Sequence, residues 1–186
     1  MQSESLKKLI NRSKTTHTTM PYSQFTLSKV KEDFHLTTVE GTRFFPTSIE
    51  LIPPSQRLQV ILEDLPWAIA VDTEKARSKV IINPVLLEVR RIFNSSISVF
   101  SGEEFNVDVE AGLNGVCDFL ISRSPEQLVV EAPTIVIVEA KKSDLKSGIG
   151  QCIAEMLAAQ RFNLTDYPLP PIEQILSFLV WMVREG

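Results

Sequence analysis

Glu139 and Lys141 stand two residues apart at the end of the apolar run Thr134-Ile135-Val136-Ile137-Val138. Alternate side chains of an extended strand share a face, so this carboxylate and ammonium leave the strand together, with Ala140 opposite. Upstream, Asp118 is set among Val116, Cys117, Phe119 and Leu120. An unpaired charge is expensive to bury there, so Asp118 needs a cation or a hydrogen-bond partner. If the two strands are neighbours, Asp118 and Glu139 converge, and close carboxylates repel unless a cation sits between them. Mg2+ suits such a site, because it takes oxygen ligands and keeps several waters. A metal held there polarises a phosphoryl oxygen and lowers the pKa of a water, while Lys141 orients that water or stabilises developing negative charge. Phosphodiester hydrolysis is the reaction these parts fit.

Further residues bear on the same chemistry. Glu88, on a predicted helix before the strands, offers a carboxylate through an ordered water, or else is a surface side chain paired with Arg91 three residues on. Gln151 offers hydrogen bonds to water or phosphate. The predicted helix start over residues 148–151 presents free N–H groups and a positive dipole end to an anion. Lys142, Lys146 and Arg161 are candidate phosphate contacts, although charges at strand and helix ends are usually just solvated. The Glu-x-Lys triplet alone is common and by itself reads more readily as a salt-bridged strand end. Asp144-Leu145-Lys146 satisfies the same letters but follows no apolar run.

These side chains need a scaffold, and the pattern supplies one. Residues 6–10 suggest a short amphipathic helix and 13–19 a Ser/Thr-rich linker. A helix over 27–34 leads to a turn at Gly41, and Pro53-Pro54 marks a boundary before Leu58, Ile61, Leu62 and Leu65 recur at helical spacing. The chain turns helical again at Asp72. Asn83-Pro84 reads as an N-cap with proline at the first helical position, opening a helix to residue 93 with Val85, Val89 and Ile92 on one face. Strand character follows at 97–100, 105–109, 116–121 and 134–141. Gly148 and Gly150 then precede a helix to residue 162 with Ile149, Ile153, Met156 and Leu157 as its apolar stripe. The order of helix, three or four strands and helix predicts an α/β core. Residues 1–53 form an N-terminal, helical and partly linking extension, and residues 54–186 the domain.

Three segments carry a resemblance: Gly115-Val116-Cys117-Asp118-Phe119-Leu120, Ile137-Val138-Glu139-Ala140-Lys141-Lys142 and Gly150-Gln151-Cys152-Ile153-Ala154-Glu155-Met156. Over residues 83–163 the chain resembles the PD-(D/E)XK, or restriction-endonuclease-like, nuclease superfamily. The resemblance implies a mixed central β-sheet flanked by helices. It implies Mg2+ (or Mn2+) held by Asp118 and Glu139, with Ala140 in the same metal set, and Lys141 as catalytic base or water-positioning group. Glu88 and Gln151 fall at the auxiliary acidic and glutamine positions. The implied activity is endonucleolytic hydrolysis of DNA. Two departures stand out. Cys117 occupies the position of the motif's proline, and the segment holding Pro168, Pro170 and Pro171 and the apolar run to Val183 is shorter than the strand pair that usually follows.

Composition bounds the rest. With 186 residues, 44% of them hydrophobic, the chain buries a sizeable core and length favours one domain. Cys117 and Cys152 have no CxxC spacing and no histidine nearby, which predicts reduced core cysteines, no structural zinc and an intracellular address. No apolar signal core precedes Pro21, and the run over 175–183 is too short to span a bilayer, so the expected location is the cytoplasm, without a membrane partner. A net charge of −4 provides no global field for phosphate backbones, so DNA must be met by local basic groups and bound cations. His17 and His35 fit neither a nucleophilic triad nor an HNH site, and no Walker-type phosphate loop is present. The competing expectation is a non-catalytic nuclease-like scaffold that binds nucleic acid or a protein partner. The apolar tail predicts self-association, with a homodimer as its simplest form.

Overall fold

The computed structural model describes residues 21–39, 51–138 and 145–166. The predicted helix at 6–10, the linker, Gly41, the end of the 134–141 strand and the apolar tail lie outside them.

A 3-10 turn at Tyr22–Gln24 leads into α1 (Leu27–Asp33), whose N-cap Thr26 accepts from the Lys29 N–H at 3.2 Å. That bond satisfies one of the donors every helix start leaves open. Helix α2 (Gln56–Leu62) is capped likewise by Ser55, and α3 (Leu65–Val71) ends where Asp72 turns left-handed at φ 51°. Thr73 caps α4 (Glu74–Arg77) through the Ala76 N–H at 3.1 Å.

From here the structure departs from the expected N-cap at Asn83. Helix α4 continues without a break through a π-helical turn, Ser78–Ile82, into α5 (Asn83–Ile92). Asn83 is helical itself, and its N–H reaches back five residues to the Ser78 carbonyl. Pro84 has no N–H to give, and the widened turn just before it absorbs the bond that a uniform α-helix would lack. The buried residues of α5 are Pro84, Leu86 and Glu88, whereas Val85 and Val89 are half-buried and Ile92 is exposed, contrary to the expected stripe. Residues on two sides of the helix are engaged, Leu86 by the sheet and Glu88 by the start of α2, and a single-face pattern does not represent that.

Two left-handed residues, Asn94 and Ser95, stop the helix and turn the chain into the sheet. Strands β1 (Ser98–Glu104), β2 (Val116–Ser122) and β3 (Thr134–Val138) form an antiparallel meander in the order β1-β2-β3. The expected strand at 105–109 is not formed. Phe105 and Val107 still bond across to Gly115 and Leu113, but only Asp108 and Leu113 make a bridge. The Asp108 carboxylate accepts the Ala111 N–H at 3.0 Å and Gly112 takes φ 79°, so side-chain turn chemistry replaces the ladder.

Helices cover both faces of the sheet. Ile82 and Leu86 pack with Ile97, Phe119 and Ile121 on one side. On the other, Phe100 and Leu120 meet Tyr22, Phe25 and Val30 together with Ala154, Ala158 and Ala159 of α6 (Leu145–Asp166). The molecule is therefore a mixed α/β protein, and the segment before Pro53 contributes side chains to its main core.

Helix α6 differs from its expected form in two ways. It begins at Leu145, three residues before Gly148, so of residues 148–151 only Gly148 falls among the first four N–H groups; those of Ile149, Gly150 and Gln151 lie inside the helix. Its buried face is built of small and polar residues, Gly150, Gln151, Cys152, Ala154, Glu155, Ala158 and Ala159, while Ile149, Ile153, Met156 and Leu157 are only half-buried. The reason is proximity. A Cβ on Gly150 would lie 2.3 Å from both the Phe25 carbonyl oxygen and the Thr26 carbonyl carbon, so the backbone entering α1 passes directly against the helix. Bulky side chains are displaced to the flanks of such a contact.

At its far end α6 also closes the sheet. The Asn163 amide donates to the Thr134 carbonyl and accepts from the Thr134 N–H, both at 2.8 Å, acting as a one-residue strand against β3.

Candidate functional site

Of the predicted set, Asp118, Glu88 and Gln151 fall on described residues; Glu139, Ala140, Lys141 and Lys142 lie outside them.

Asp118 is half-buried between the fully buried Cys117 and Phe119 on β2. The β1–β2 register runs from Ser101 against Phe119 to Glu103 against Cys117, so the residue across from Asp118 is Gly102. Gly102 has φ +67°, and a Cβ there would meet nothing within 4 Å. Directly opposite residues are the closest neighbours in a sheet, and Gly102 contributes no side chain of its own at that position. On the other flank the last described pair is Phe119 with Val138. Asp118 is the next residue of β2 beyond that pair, and Glu139 follows Val138 in the chain.

Glu88 is not the surface carboxylate that its helical position suggested. It is buried, its Oε1 accepts the Ser55 backbone N–H at 2.9 Å, and its Oε2 is paired with Arg91. The Ser55 hydroxyl and N–H, more than the guanidiniums of Arg91 and Arg57, hold the carboxyl below the ordinary carboxylate range. Oε1 thus fastens the start of α2 to α5, while Oε2 is held within α5 by Arg91.

Gln151 is buried on α6 and donates from Nε2 to the Glu155 Oε1 at 3.0 Å. Glu155 is fully buried, and its residue type alone pointed to no role. The available signal was its spacing: four residues after Gln151, it stacks on the same helical face. Tyr22 completes this neighbourhood. Its ring would touch a Cβ on Gly115 at 3.0 Å, and its hydroxyl donates to the Phe105 carbonyl at 2.5 Å. Burial pushes the phenol well above its ordinary range, with Cys117 and then Glu155 adding to it. Tyr22 and Cys117 share one buried cluster with Ala154, Ala158 and Ala159 of α6.

Arg161, a candidate phosphate contact, is occupied. It pairs with Asp108, and its guanidinium lies 5.4 Å from the centre of the Phe34 ring. That combination of ion pair and cation–π contact fastens α6 to α1 and the β1–β2 loop. Both Cys117 and Cys152 are buried free thiols.

Among the described residues no three His, Cys, Asp or Glu side chains are gathered to hold a metal ion, and no helix is long and apolar enough to cross a membrane. No protein-family model matches the chain, and no solved structure matches it.

Proposed function

We propose that this chain is a Mg2+-dependent nuclease that hydrolyses DNA phosphodiester bonds on a PD-(D/E)XK core, with Asp118, Glu139 and Lys141 as its site. The observation that supports the reading is the β2–β3 register. Phe119 pairs with Val138, the last described residue of β3, and a ladder continued one step in the same register would bring residue 139 opposite residue 118. Cross-strand partners project to the same face, which is the convergence a shared cation requires.

The donor set fits the ion in part. Asp118 and Glu139 are oxygen donors of the kind Mg2+ takes, with Ala140 beside them. Glu88 does not fit as a direct ligand, because Ser55 and Arg91 engage its two oxygens. Bound there, Mg2+ supplies Lewis acidity towards a phosphoryl oxygen and acidifies a water. Lys141, two residues beyond Glu139 and so on its face in an extended strand, orients the attacking water and offsets charge developing on the phosphate. The proposed working location is the cytoplasm.

Purified protein with Mg2+ or Mn2+ is expected to nick or degrade plasmid or linear DNA. Asp118→Ala and Lys141→Ala should each lower the rate by about a hundredfold or more. Equal activity in the variants would assign the cleavage to a contaminant and remove the proposal. The net charge of −4 favours the second reading, a non-catalytic scaffold that meets nucleic acid or protein through local surfaces. Calorimetry that finds no Mg2+ or Mn2+ binding at millimolar concentration would select it.

A further inference from the structure

We propose that Asn114 is a modification site, a one-way deamidation switch that the folded protein holds closed through Asn106. Asn114-Gly115 is the one Asn-Gly pair in the chain. In such a pair no side chain shields the following peptide nitrogen, so that nitrogen can approach the asparagine carboxamide closely. The Gly115 nitrogen attacks Asn114 Cγ and gives up its proton, the Cγ–Nδ2 bond breaks, and ammonia leaves with that proton. Water then opens the resulting succinimide at either carbonyl, and the product is aspartate or isoaspartate. Neither metal nor DNA enters this reaction.

The fold works against each step. The Gly115 N–H donates to Asn106 Oδ1 at 2.9 Å, so the nucleophile is committed to another carbonyl. The Asn114 carbonyl accepts from the Tyr22 N–H at 2.9 Å, and the Gly115 carbonyl accepts from the Phe105 N–H at 2.8 Å. The Asn114 N–H in turn reaches the Gly112 carbonyl at 2.9 Å. The peptide joining Asn114 to Gly115 is thus tied at both of its polar groups and cannot rotate toward the side chain without breaking those bonds. Asn114 Oδ1 is buried and accepts no hydrogen bond among the described residues, so an oxyanion formed there finds no donor. Asn106 is exposed, which makes its bond to Gly115 the one most open to competition from water. Deamidation then follows local opening at Asn106, at a rate that tracks the population of the opened state.

The product changes the fold at a sensitive point. Isoaspartate puts an extra carbon into the main chain where the turn enters β2, and either product sets a carboxylate at a half-buried position. Tyr22 and Phe105, both buried in the main core, take their backbone bonds from Asn114 and Gly115. The switch therefore loosens that core from its edge.

The test is peptide mass spectrometry of the full-length protein held in mildly alkaline buffer, with the exposed Asn94-Ser95 pair as internal reference. Native protein should deamidate at Asn114 at least about tenfold more slowly than the same chain unfolded in urea, because only the opened state reacts. Asn106→Ala should speed the folded reaction about threefold to tenfold, the worth of one hydrogen bond, and leave Asn94 unchanged. Asn106→Asp, whose carboxylate still accepts the Gly115 N–H, should stay close to the native rate. Tyr22→Phe keeps its backbone N–H on Asn114 but loses the hydroxyl bond to Phe105, so it lowers global stability without touching the gate. It too should react at the native rate. An unchanged rate in Asn106→Ala, or Asn106→Asp as fast as Asn106→Ala, overturns the proposal. So does native protein that reacts at the unfolded rate, or a Tyr22→Phe acceleration equal to that of Asn106→Ala, which would assign the reaction to global unfolding. Should Asn106→Ala not fold, Asn106→Asp and the folded-against-unfolded comparison decide. The deamidated fraction, separated by its added negative charge, should have a lower urea midpoint than the unmodified protein; equal midpoints overturn the switch.

Discussion

Gly150 is the position where the smallest change has the clearest consequence. Alanine normally favours a helix interior over glycine by about 1 kcal/mol. Here the added Cβ would lie 2.3 Å from backbone atoms of Phe25 and Thr26, which cannot swing aside as a side-chain tip can. The clash outweighs the propensity gain, and Gly150→Ala is expected to destabilise by roughly 1–3 kcal/mol in urea denaturation. Tyr22 offers a second test with a pH signature. Tyr22→Phe leaves the buried Phe105 carbonyl without its 2.5 Å donor and should cost about 1–3 kcal/mol at neutral pH. The folded protein holds the Tyr22 proton more tightly than the unfolded chain does. The stabilisation is therefore complete below about pH 10, the unfolded phenol value, and declines as pH rises beyond it. Denaturation midpoints measured across that range should fall more steeply for the native protein than for Tyr22→Phe.

Among the elements, α6 ties α1, the Tyr22–Gln24 turn and β3 together. Its small-residue face lets the entrance to α1 lie against it, it carries the buried Gln151–Glu155 pair, and Asn163 completes the edge of β3 at Thr134. Asn163→Leu removes a donor and an acceptor at once, leaving two buried backbone groups unsatisfied. A loss of about 2 kcal/mol or more is expected, again by urea denaturation. The helix itself was legible from its periodicity, but its packing was not. The bulky residues Ile149, Ile153, Met156 and Leu157 carry the strongest apolar signal, yet the contact surface is alanine and glycine, because close approach of backbones selects for volume and not for hydrophobicity. The same limit applies to α5. Asn83-Pro84 reads locally as a helix start, and only a preceding π-turn, which has no strong sequence signature, lets the helix run through it.

For the molecule as a whole, the segment before Pro53 is structurally costly to remove. Tyr22, Phe25 and Val30 are buried with Phe100, Leu120 and Ala154. Each buried aromatic or branched side chain is worth about 1.5–3 kcal/mol, so losing three approaches the whole stability of a domain. Deletion of residues 1–39 is expected to abolish cooperative unfolding by circular dichroism and to expose dye-binding apolar surface.

The α/β class, the three described strands of the sheet, the long helix over 145–166 and the spacing of Asp118 relative to its apolar neighbours could all be read from periodicity and residue type, since these depend on contacts within a few residues. Position in space could not. That Glu88 anchors Ser55, that Arg161 is held by Asp108 and Phe34, that Glu155 shares a buried bond with Gln151, and that a terminal segment completes the core all depend on partners distant in the chain or on a choice among several available ones. Such pairings are selected by burial, where an unmatched polar group costs most, and burial exists only once the whole chain has folded.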